Sequence, residues 1–369
     1  MSPAPSTPDR GVDAPVIRSV GTALPDQTYA QSEILETAER LLSPVDADEE
    51  VELLEYFFDA VDVSRRHLVL PLDAYADVAG FGEATDLFER HATQLGTRAV
   101  SDALDRAGRS PGDVDALFFT TVTGISAPSI DAKIVNELDL PRSVERTPMF
   151  GLGCVAGAAG TSRAADYLRA HPDATAVLLS VELCSLTFQR NDVSVPNQLA
   201  TSLFADGAAA AVMSGRENFA NSRASAPEIV ANRSIFYPDT EWVMGWELDG
   251  DGFHVVLSGD LAEVLSGRLR GDADEFLTAH DLELGDVDHW IGHPGGPAVL
   301  EAVADEFELD RSELARSWNS LDRLGNLSSA SVLFVLEQTL NDAEVEPGDR
   351  GLMFAMGPGF SAEFVLLEW

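Results

Sequence analysis

The chain has 369 residues, 45% of them hydrophobic and 8% aromatic, so it can bury a large core and does not have the composition of a disordered protein. Its 62 acidic and 24 basic residues give a formal net charge of -38, which argues against a nucleic acid or an anionic membrane as a partner. The sequence contains no apolar run long enough to span a membrane, and its two cysteines provide neither a disulfide framework nor a CxxC metal motif. We therefore expect a cytoplasmic protein without bound metal.

The acidic residues are spread along the chain and are not gathered in one tail. Molar salt shortens the Debye length to about 3 Å, so the self-repulsion of such a chain is tolerable in a salt-accumulating cell. The composition therefore predicts a halophilic origin, such as a halophilic archaeon.

Strand-like apolar runs alternate with helical patterns along the chain. A strand is predicted at "PVIRSVGTAL" and a helix near 87–107. Two buried strands, "DALFFTTVT" and "TAVLLSVEL", are then predicted on either side of a helix near 154–170. This alternation is typical of an α/β protein.

The chain also contains a weak internal repeat. Three stretches recur in the same order, the third more loosely: "GDVDALFFTTVTG" as "GDVDHWIGHPGG", "LGCVAGAAG" as "LGNLSSASV", and "LFADGAAAAVM" as "FAMGPGFSAEFVLL". Three ordered matches indicate two duplicated halves, and they place Cys154 opposite Asn326. We expect a disordered N-terminal segment over 1–14, an N-terminal half over 15–225 and a C-terminal half over 226–369.

Cys154 lies in "GLGCVAGAAG", a run of small residues predicted to open a helix. The thiol would face the unpaired N–H groups and the positive dipole end of that helix, and a nearby histidine would lower its pKa further below the ~8.5 of a free thiol. The small neighbours would leave room for an acyl chain and for an opposing helix. The alternative is a buried cysteine with a packing role only.

Two polar residues of the C-terminal half occupy comparable positions. In "HWIGHPGGPAVLEAV" an apolar strand ends at His293, and two glycines and a helix-starting proline follow. In "RLGNLSSASVLF" Asn326 precedes a helix, where it could equally serve as an N-cap.

Together, these three residues suit acyl transfer to a thiolate followed by carbon–carbon bond formation. Cys154 would take the acyl group from a thioester. His293 and Asn326 would then donate hydrogen bonds to the oxygen of a second thioester as it loses CO₂ and becomes an enolate. These donors would replace a metal ion.

Four motifs resemble those of the type III polyketide synthases of the chalcone and stilbene synthase group: "GLGCVAGA", "WIGHPGGPAVL", "LGNLSSASVLFVL" and "MGPGF". The resemblance extends from about "VGTALPD" to the C-terminus. It implies a thiolase-like αβαβα layered fold of two duplicated halves, and a homodimer. It also implies that Cys154 carries the growing chain, while His293 and Asn326 support loading and malonyl decarboxylation.

The resemblance assigns the cavity walls as well. Phe204 in "SLFADGAAAA" and Phe253 in "DGFHVVLSGDL" would be gatekeeper rings that exclude water between the coenzyme A tunnel and the cavity, although either could be plain core. The other wall positions implied are Cys184, Thr187 and Ser328.

This sequence departs from the family pattern at two places. Ala127 stands where the family often has a methionine that reaches into the partner's cavity, so the pocket floor could be wider. The basic coenzyme A contacts of the plant enzymes are missing, which leaves Arg65 and Arg66 as the nearest candidates for the phosphates, with a solvated arginine pair as the alternative. The other positions assigned to coenzyme A are Gly295, Gly296 and Ala298.

We therefore expect a homodimeric synthase that condenses an acyl-coenzyme A starter repeatedly with malonyl-coenzyme A and cyclises the product to an aromatic ring or a pyrone, without a bound cofactor. A single-condensation β-ketoacyl carrier-protein synthase would need a basic docking patch, which one lysine and scattered arginines do not supply. A thioester hydrolase would need water that Phe204 and Phe253 would exclude. A catalytically silent scaffold protein of the same fold would leave the presence of Cys154, His293 and Asn326 unexplained.

Overall fold

A computed structural model describes residues 14–42, 48–219 and 226–369. The segment predicted to be disordered, 1–14, lies outside the described residues except for Ala14. The predicted boundary between the halves adjoins another undescribed stretch, so both assignments stay predictions.

The described chain alternates strands and helices. The strands are β1 Val16–Ala23, β2 Gln27–Ala30, β3 Arg65–Leu68, β4 Ala116–Thr121, β5 Glu145–Phe150, β6 Thr175–Leu183, β7 Asp206–Ser214, β8 Glu228–Phe236, β9 Met244–Leu248, β10 Phe253–Leu257, β11 His289–Gly292, β12 Arg350–Gly357 and β13 Ser361–Glu368. The helices are α1 Gln31–Leu42, α2 Asp48–Ala60, α3 Phe81–Ala107, α4 Ile130–Glu137, α5 Ala156–Ala170, α6 Val195–Leu203, α7 Arg216–Phe219, α8 Leu261–Leu265, α9 Arg268–Thr278, α10 Pro297–Phe307, α11 Ala315–Leu324 and α12 Ser331–Leu340.

Nine of the described strands form one mixed sheet in the order β11-β12-β13-β8-β1-β7-β6-β4-β5. The N-terminal strands occupy one side of it and the C-terminal strands the other, and the two sets meet where Val16 pairs with Glu228. On the first side β4 is parallel to β5 and β6, and on the second side β11 is parallel to β12. β4 and β11 follow the two copies of the Gly-Asp-Val-Asp motif, so the repeat has equivalent strands in both halves.

Each half-sheet is covered on both faces. In β4, Leu117 and Phe119 pack into a core with α3, whereas Ala116 and Phe118 face a second core with α5 and α12. Successive side chains of a strand point to opposite faces, so one strand serves two cores. The N-terminal sheet therefore lies between an outer helical layer and a central one.

The C-terminal half repeats this arrangement. In β12, Met353 and Ala355 face the central core, whereas Leu352 and Phe354 face a third core with α9, α10 and α11. The layers are thus helix, sheet, helix, sheet, helix. This confirms the predicted thiolase-like fold class.

The two central helices approach each other closely at Gly157. A Cβ atom there would lie 2.3 Å from the carbonyl oxygen of Ser329 and 2.5 Å from Cγ1 of Val332. The small residues after Cys154 therefore allow α5 and α12 to cross, as the sequence predicts.

Two predicted helix starts differ from the structure. α3 begins at Phe81, not near 87, because its first turn is largely exposed and the apolar periodicity starts only at Leu87. α5 begins at Ala156, and Cys154 lies in the 3-10 turn Gly153–Val155 that leads into it.

Candidate active site

Cys154 lies at the junction between β5 and α5, at the N-terminal end of a buried helix. The preceding Gly153 has a φ of 56°, and a Cβ atom there would lie 2.6 Å from Cδ of Pro358, so the turn requires glycine. The Cys154 side chain is buried, and its Sγ donates to the hydroxyl of Ser328 at 3.7 Å. The turn thus holds the thiol at the positive end of α5, as predicted.

His293 follows β11 directly. Its backbone N–H donates to the carbonyl of Phe354 at 3.0 Å, and its carbonyl accepts from the N–H of Gly295 at 2.9 Å in the turn that leads to α10. The side chain is buried, and neither ring nitrogen has a hydrogen-bond partner among the described residues. Both nitrogens are therefore available to a substrate.

Asn326 joins the two halves of the chain. Its N–H donates to the carbonyl of Leu203 and its carbonyl accepts from the N–H of Ala205, both at 2.9 Å. Its Oδ1 accepts from the N–H of Ser328 at 2.7 Å, and its Nδ2 donates to the carbonyl of Gly295 at 3.0 Å. The capping role and a place in the site therefore coexist, because Oδ1 caps the turn and Nδ2 uses only one of its two protons in hydrogen bonds to the described residues.

Cys154, His293 and Asn326 line one cavity of about 220 Å³. Its walls come from both halves, and among the described residues that line it none is Asp, Glu, Lys or Arg. Such an uncharged chamber strengthens hydrogen bonds to a developing oxyanion and protects an acyl thioester from water. Five other predicted site residues also line it: Phe204, Ser328, Gly295, Gly296 and Ala298.

Burial shifts the pKa values of the two titratable groups in opposite directions. It raises the pKa of Cys154 to about 12 and lowers the pKa of His293 to about 3. Burial thus acts against the low thiol pKa that the sequence predicts. A neutral imidazole keeps a lone pair, however, so His293 can accept the thiol proton as the sulfur attacks a carbonyl.

Cys184 and Thr187 lie behind the main chamber. They line a smaller cavity of about 80 Å³ between α1 and α6, which shares Phe204, Trp246 and Val255 with the main one. The ring of Phe204 therefore borders both spaces, which suits a gate. The sequence did not predict Trp246 or Val255, because nothing in their local pattern distinguishes them from ordinary strand residues.

Phe253 and Ala127 lie outside the main chamber. Phe253 is buried against the rings of Phe81 and Trp246 and borders a third cavity, of about 330 Å³. Ala127 lies on an exposed loop and lines none of these cavities.

The assignment of Arg66 to the coenzyme A phosphates is wrong, and so is the alternative of a solvated arginine pair. Arg66 is 2% exposed and donates hydrogen bonds to Gln31, Thr201 and Phe204, so it cannot reach a ligand at the surface. Burial lowers its pKa to about 9. Neighbouring residues of a strand point to opposite faces, and only Arg65 is exposed.

The sequence also gave no prediction for Glu182, a fully buried carboxyl group of β6 near Cys154. It accepts hydrogen bonds from Thr121, Thr123 and Ser329, and burial raises its pKa. A glutamate inside the apolar run "TAVLLSVEL" was the available signal.

In the described ranges, no three His, Cys, Asp or Glu side chains cluster so that they could hold a metal ion. Within the same ranges, no helix combines the length and the apolar character needed to cross a bilayer.

The five-layered arrangement, with a thiol at the start of one of its two central helices, is the thiolase-like fold. The chain belongs to the chalcone and stilbene synthase family, since the family's N-terminal domain matches residues 8–217 and its C-terminal domain matches residues 228–368.

Relatives narrow the class further. The chain is 46% identical over 362 residues to a 1,3,6,8-tetrahydroxynaphthalene synthase of Streptomyces peucetius subsp. caesius, covering 98% of this chain and 94% of that one. It is 33% identical over 315 residues to a phloroglucinol synthase of Pseudomonas fluorescens, covering 84% and 86%. The crystal structure of the 1,3,6,8-tetrahydroxynaphthalene synthase of Streptomyces coelicolor, a bacterial type III polyketide synthase, matches with a TM-score of 0.88 at 30% identity and covers 96% and 99%.

The chain is therefore a type III polyketide synthase, an acyltransferase that condenses malonyl units from coenzyme A thioesters. This confirms the predicted family and enzyme class. A carrier-protein synthase, a hydrolase and a silent scaffold are correspondingly disfavoured.

Proposed function

We propose that the chain builds its polyketide on Cys154, with His293 and Asn326 as the groups that activate malonyl-coenzyme A. The observation that carries this proposal is the convergence of the three side chains, from both halves, on one uncharged cavity.

Loading begins when the Cys154 sulfur attacks the carbonyl carbon of an acyl-coenzyme A. The thiol proton passes to the neutral imidazole of His293, which returns it to the departing coenzyme A sulfur. The acyl group is then a thioester of Cys154, and coenzyme A has left as its thiol.

Extension uses the same histidine as a hydrogen-bond donor. The Nε2–H of His293 and the free Nδ2–H of Asn326 bind the thioester oxygen of malonyl-coenzyme A. The bond to the carboxylate breaks, CO₂ leaves, and its electron pair becomes the enolate. The enolate carbon attacks the acyl thioester and releases the Cys154 sulfur. The extended chain then returns to Cys154 for the next round.

For the product we propose 1,3,6,8-tetrahydroxynaphthalene, on the basis of the relative with 46% identity. Its ten ring carbons correspond to five decarboxylated malonyl units, so malonyl-coenzyme A would serve as both starter and extender. The balance is five CO₂, five coenzyme A and one water released for each naphthalene formed.

We also propose a homodimer that assembles through the edge of the sheet at β5. Among the described strands, β5 pairs on one side only, with β4, and Phe150 at its end is 50% exposed. The nearby Ile125 is 42% exposed on the loop that carries Ala127. The molar mass in solution tests this assembly.

We propose a cytoplasmic location as well, because the two free cysteines suit a reducing compartment.

The test is incubation of the purified protein in molar KCl with malonyl-coenzyme A alone, followed by mass spectrometry of products and measurement of CO₂ release. We expect the tetrahydroxynaphthalene from the wild type. Cys154→Ala should form no product but retain some CO₂ release, whereas Asn326→Ala should lose most CO₂ release because an oxyanion donor is missing, a loss of about 10²–10³-fold for such a donor.

Free acids without carbon–carbon coupling would identify a hydrolase and contradict the proposal. Unchanged product formation by Cys154→Ala would remove this residue from the mechanism. A different polyketide would contradict the product assignment alone.

A further inference from the structure

A fully buried arginine that the proposed mechanism does not use lies behind the chamber. Arg66 donates through Nε to Oε1 of Gln31 at 3.0 Å and through Nη1 to the carbonyls of Thr201 at 2.6 Å and Phe204 at 2.8 Å. The ring of Phe58 lies 5.4 Å from its Cζ. These contacts hold the guanidinium in one orientation.

The carbonyls that Arg66 binds lie at the end of α6, where a helix leaves its last carbonyls without internal partners. Gln31 contributes a further bond, from Nε2 to the carbonyl of Ser202 at 2.7 Å. A positive charge at a helix C-terminus also interacts favourably with the helix dipole. Arg66 and Gln31 together therefore fix where α6 ends and where the chain turns into Phe204.

The same turn is bound to the loop that carries Asn326. Leu203 and Ala205 form the two backbone hydrogen bonds to Asn326, both at 2.9 Å. Gly325, next to it, packs against the arginine, since a Cβ atom there would lie 3.0 Å from Cγ and Cδ of Arg66. Arg66 thus contacts both segments of the junction that presents Phe204 and Asn326 to the chamber.

We propose that Arg66 is a positioning residue of the synthase, which holds the Asn326 amide and the Phe204 ring in place relative to His293. This inference rests on the proposed role of Asn326 in malonyl decarboxylation. The backbone of Cys154 is held by a separate turn before α5. Among the described residues, the only hydrogen bond from Cys154 to the Asn326 loop is the 3.7 Å contact of its Sγ with Ser328, so its reactivity should depend less than decarboxylation on the end of α6. Decarboxylation and thiol reactivity should therefore respond differently when Arg66 is changed.

The experiment compares Arg66→Gln, Arg66→Lys and Gln31→Ala with the wild type in molar KCl. The readouts are kcat and KM for CO₂ release from malonyl-coenzyme A, the alkylation rate of Cys154 and the thermal unfolding midpoint. Arg66→Gln should lower kcat about tenfold or more through misplacement of the amide, while Cys154 alkylation stays within about twofold and KM changes less than kcat.

The conservative variant and one control at the surface sharpen the comparison. Arg66→Lys should recover part of kcat, because an ammonium group can bind one of the two carbonyls. The control is Arg40→Gln, an exposed arginine of α1 that pairs with Asp73 at 2.8 Å, and it should leave kcat and alkylation unchanged.

A folded Arg66→Gln protein with wild-type kcat would overturn the inference, as would an equal loss of CO₂ release and of Cys154 alkylation. If Arg66→Gln does not fold, the same two criteria, kcat and Cys154 alkylation, are applied to Gln31→Ala. If Asn326→Ala itself leaves CO₂ release unchanged, the proposed function fails and not only this inference.

Discussion

Cys154 and His293, the pair that we propose for loading, are both buried and carry no resting charge. With a thiol pKa raised to about 12 and an imidazole pKa lowered to about 3, both groups are neutral near pH 7. The imidazole then offers one N–H and one lone pair, the two functions that the proposed loading and decarboxylation steps need. A permanently charged imidazolium could donate to the enolate but could not accept the thiol proton.

Replacing His293 should therefore slow the alkylation of Cys154. In His293→Gln the sulfur has no buried base, and burial favours the thiol below a pH of about 12, so we expect a rate at least about tenfold lower at pH 7 and a profile displaced to higher pH. Iodoacetamide labelling from pH 6 to 10, followed by mass spectrometry of the Cys154 peptide, measures this. The matched control is His171→Gln, an exposed histidine at the end of α5. Identical profiles for the wild type and His293→Gln would exclude His293 as the base.

The residues that could be predicted from the sequence are those with a local signature. Cys154, His293 and Asn326 each lie at a turn before a helix, within small-residue motifs, and the repeat relates two of them. Arg66 shows what such signatures miss. Whether the first or the second arginine of "RR" points inward depends on the pairing of β3 with β2, which no local pattern reveals.

At the level of elements, the crossing of α5 and α12 determines how the two halves of the site meet. Cys154 precedes α5 and Asn326 precedes the turn into α12, so the distance between these helices sets the distance between the two side chains. The repeat predicted this correspondence, because it aligned two helix starts. The sequence could not predict that the expected cavity residues belong to three separate cavities. Which cavity Cys184, Thr187 and Phe253 line depends on tertiary packing and not on any local pattern.

Gly157→Ala should separate the two helices. The new methyl group would lie 2.3 Å from the backbone oxygen of Ser329, which cannot move without shifting α12. Overpacking of this kind destabilises by about 1–3 kcal/mol, and helix propensity offsets at most about 1 kcal/mol of it. We expect denaturant titrations to give a lower free energy of unfolding. We also expect the relative loss of condensation activity to exceed the relative loss of stability.

The matched control for this prediction is Gly160→Ala on the same helix. Its methyl group would meet the side-chain ends of Leu178, at 2.5 Å, and Met149, at 3.3 Å, and these can rotate away. Its free energy of unfolding should stay close to that of the wild type. Equal destabilisation by the two substitutions would show that the crossing at Gly157 is not the critical contact.

At the scale of the whole molecule, the uncharged chamber contrasts with a surface that carries most of the net charge of -38. Among the described residues, the exposed ion pairs are individually weak, and many acidic side chains have no basic neighbour to compensate them. The repulsion is therefore a property of the whole chain and is relieved mainly by dissolved ions. A dimer would bring two such charges together and increase this dependence.

We therefore expect the protein to be more stable and more fully dimeric in molar KCl. Raising KCl from 0.1 to 2 M shortens the Debye length from about 10 Å to below about 3 Å, which screens both repulsions. The unfolding midpoint should rise on the order of 5 °C or more, the shift that about 4 kcal/mol gives in a protein of this size. Calorimetry and light scattering on the same samples measure the midpoint and the molar mass.

Sucrose at matched osmolality separates screening from general exclusion of solutes, because it strengthens burial but leaves the charges unscreened. If screening is the cause, KCl should raise the midpoint well above the sucrose value and shift the mass from one chain to two. Equal effects of KCl and sucrose would assign the stabilisation to solute exclusion. A midpoint that does not rise with KCl would contradict the halophilic adaptation that the composition predicts. Contacts within the folded protein would then compensate the charge of -38 without dissolved ions.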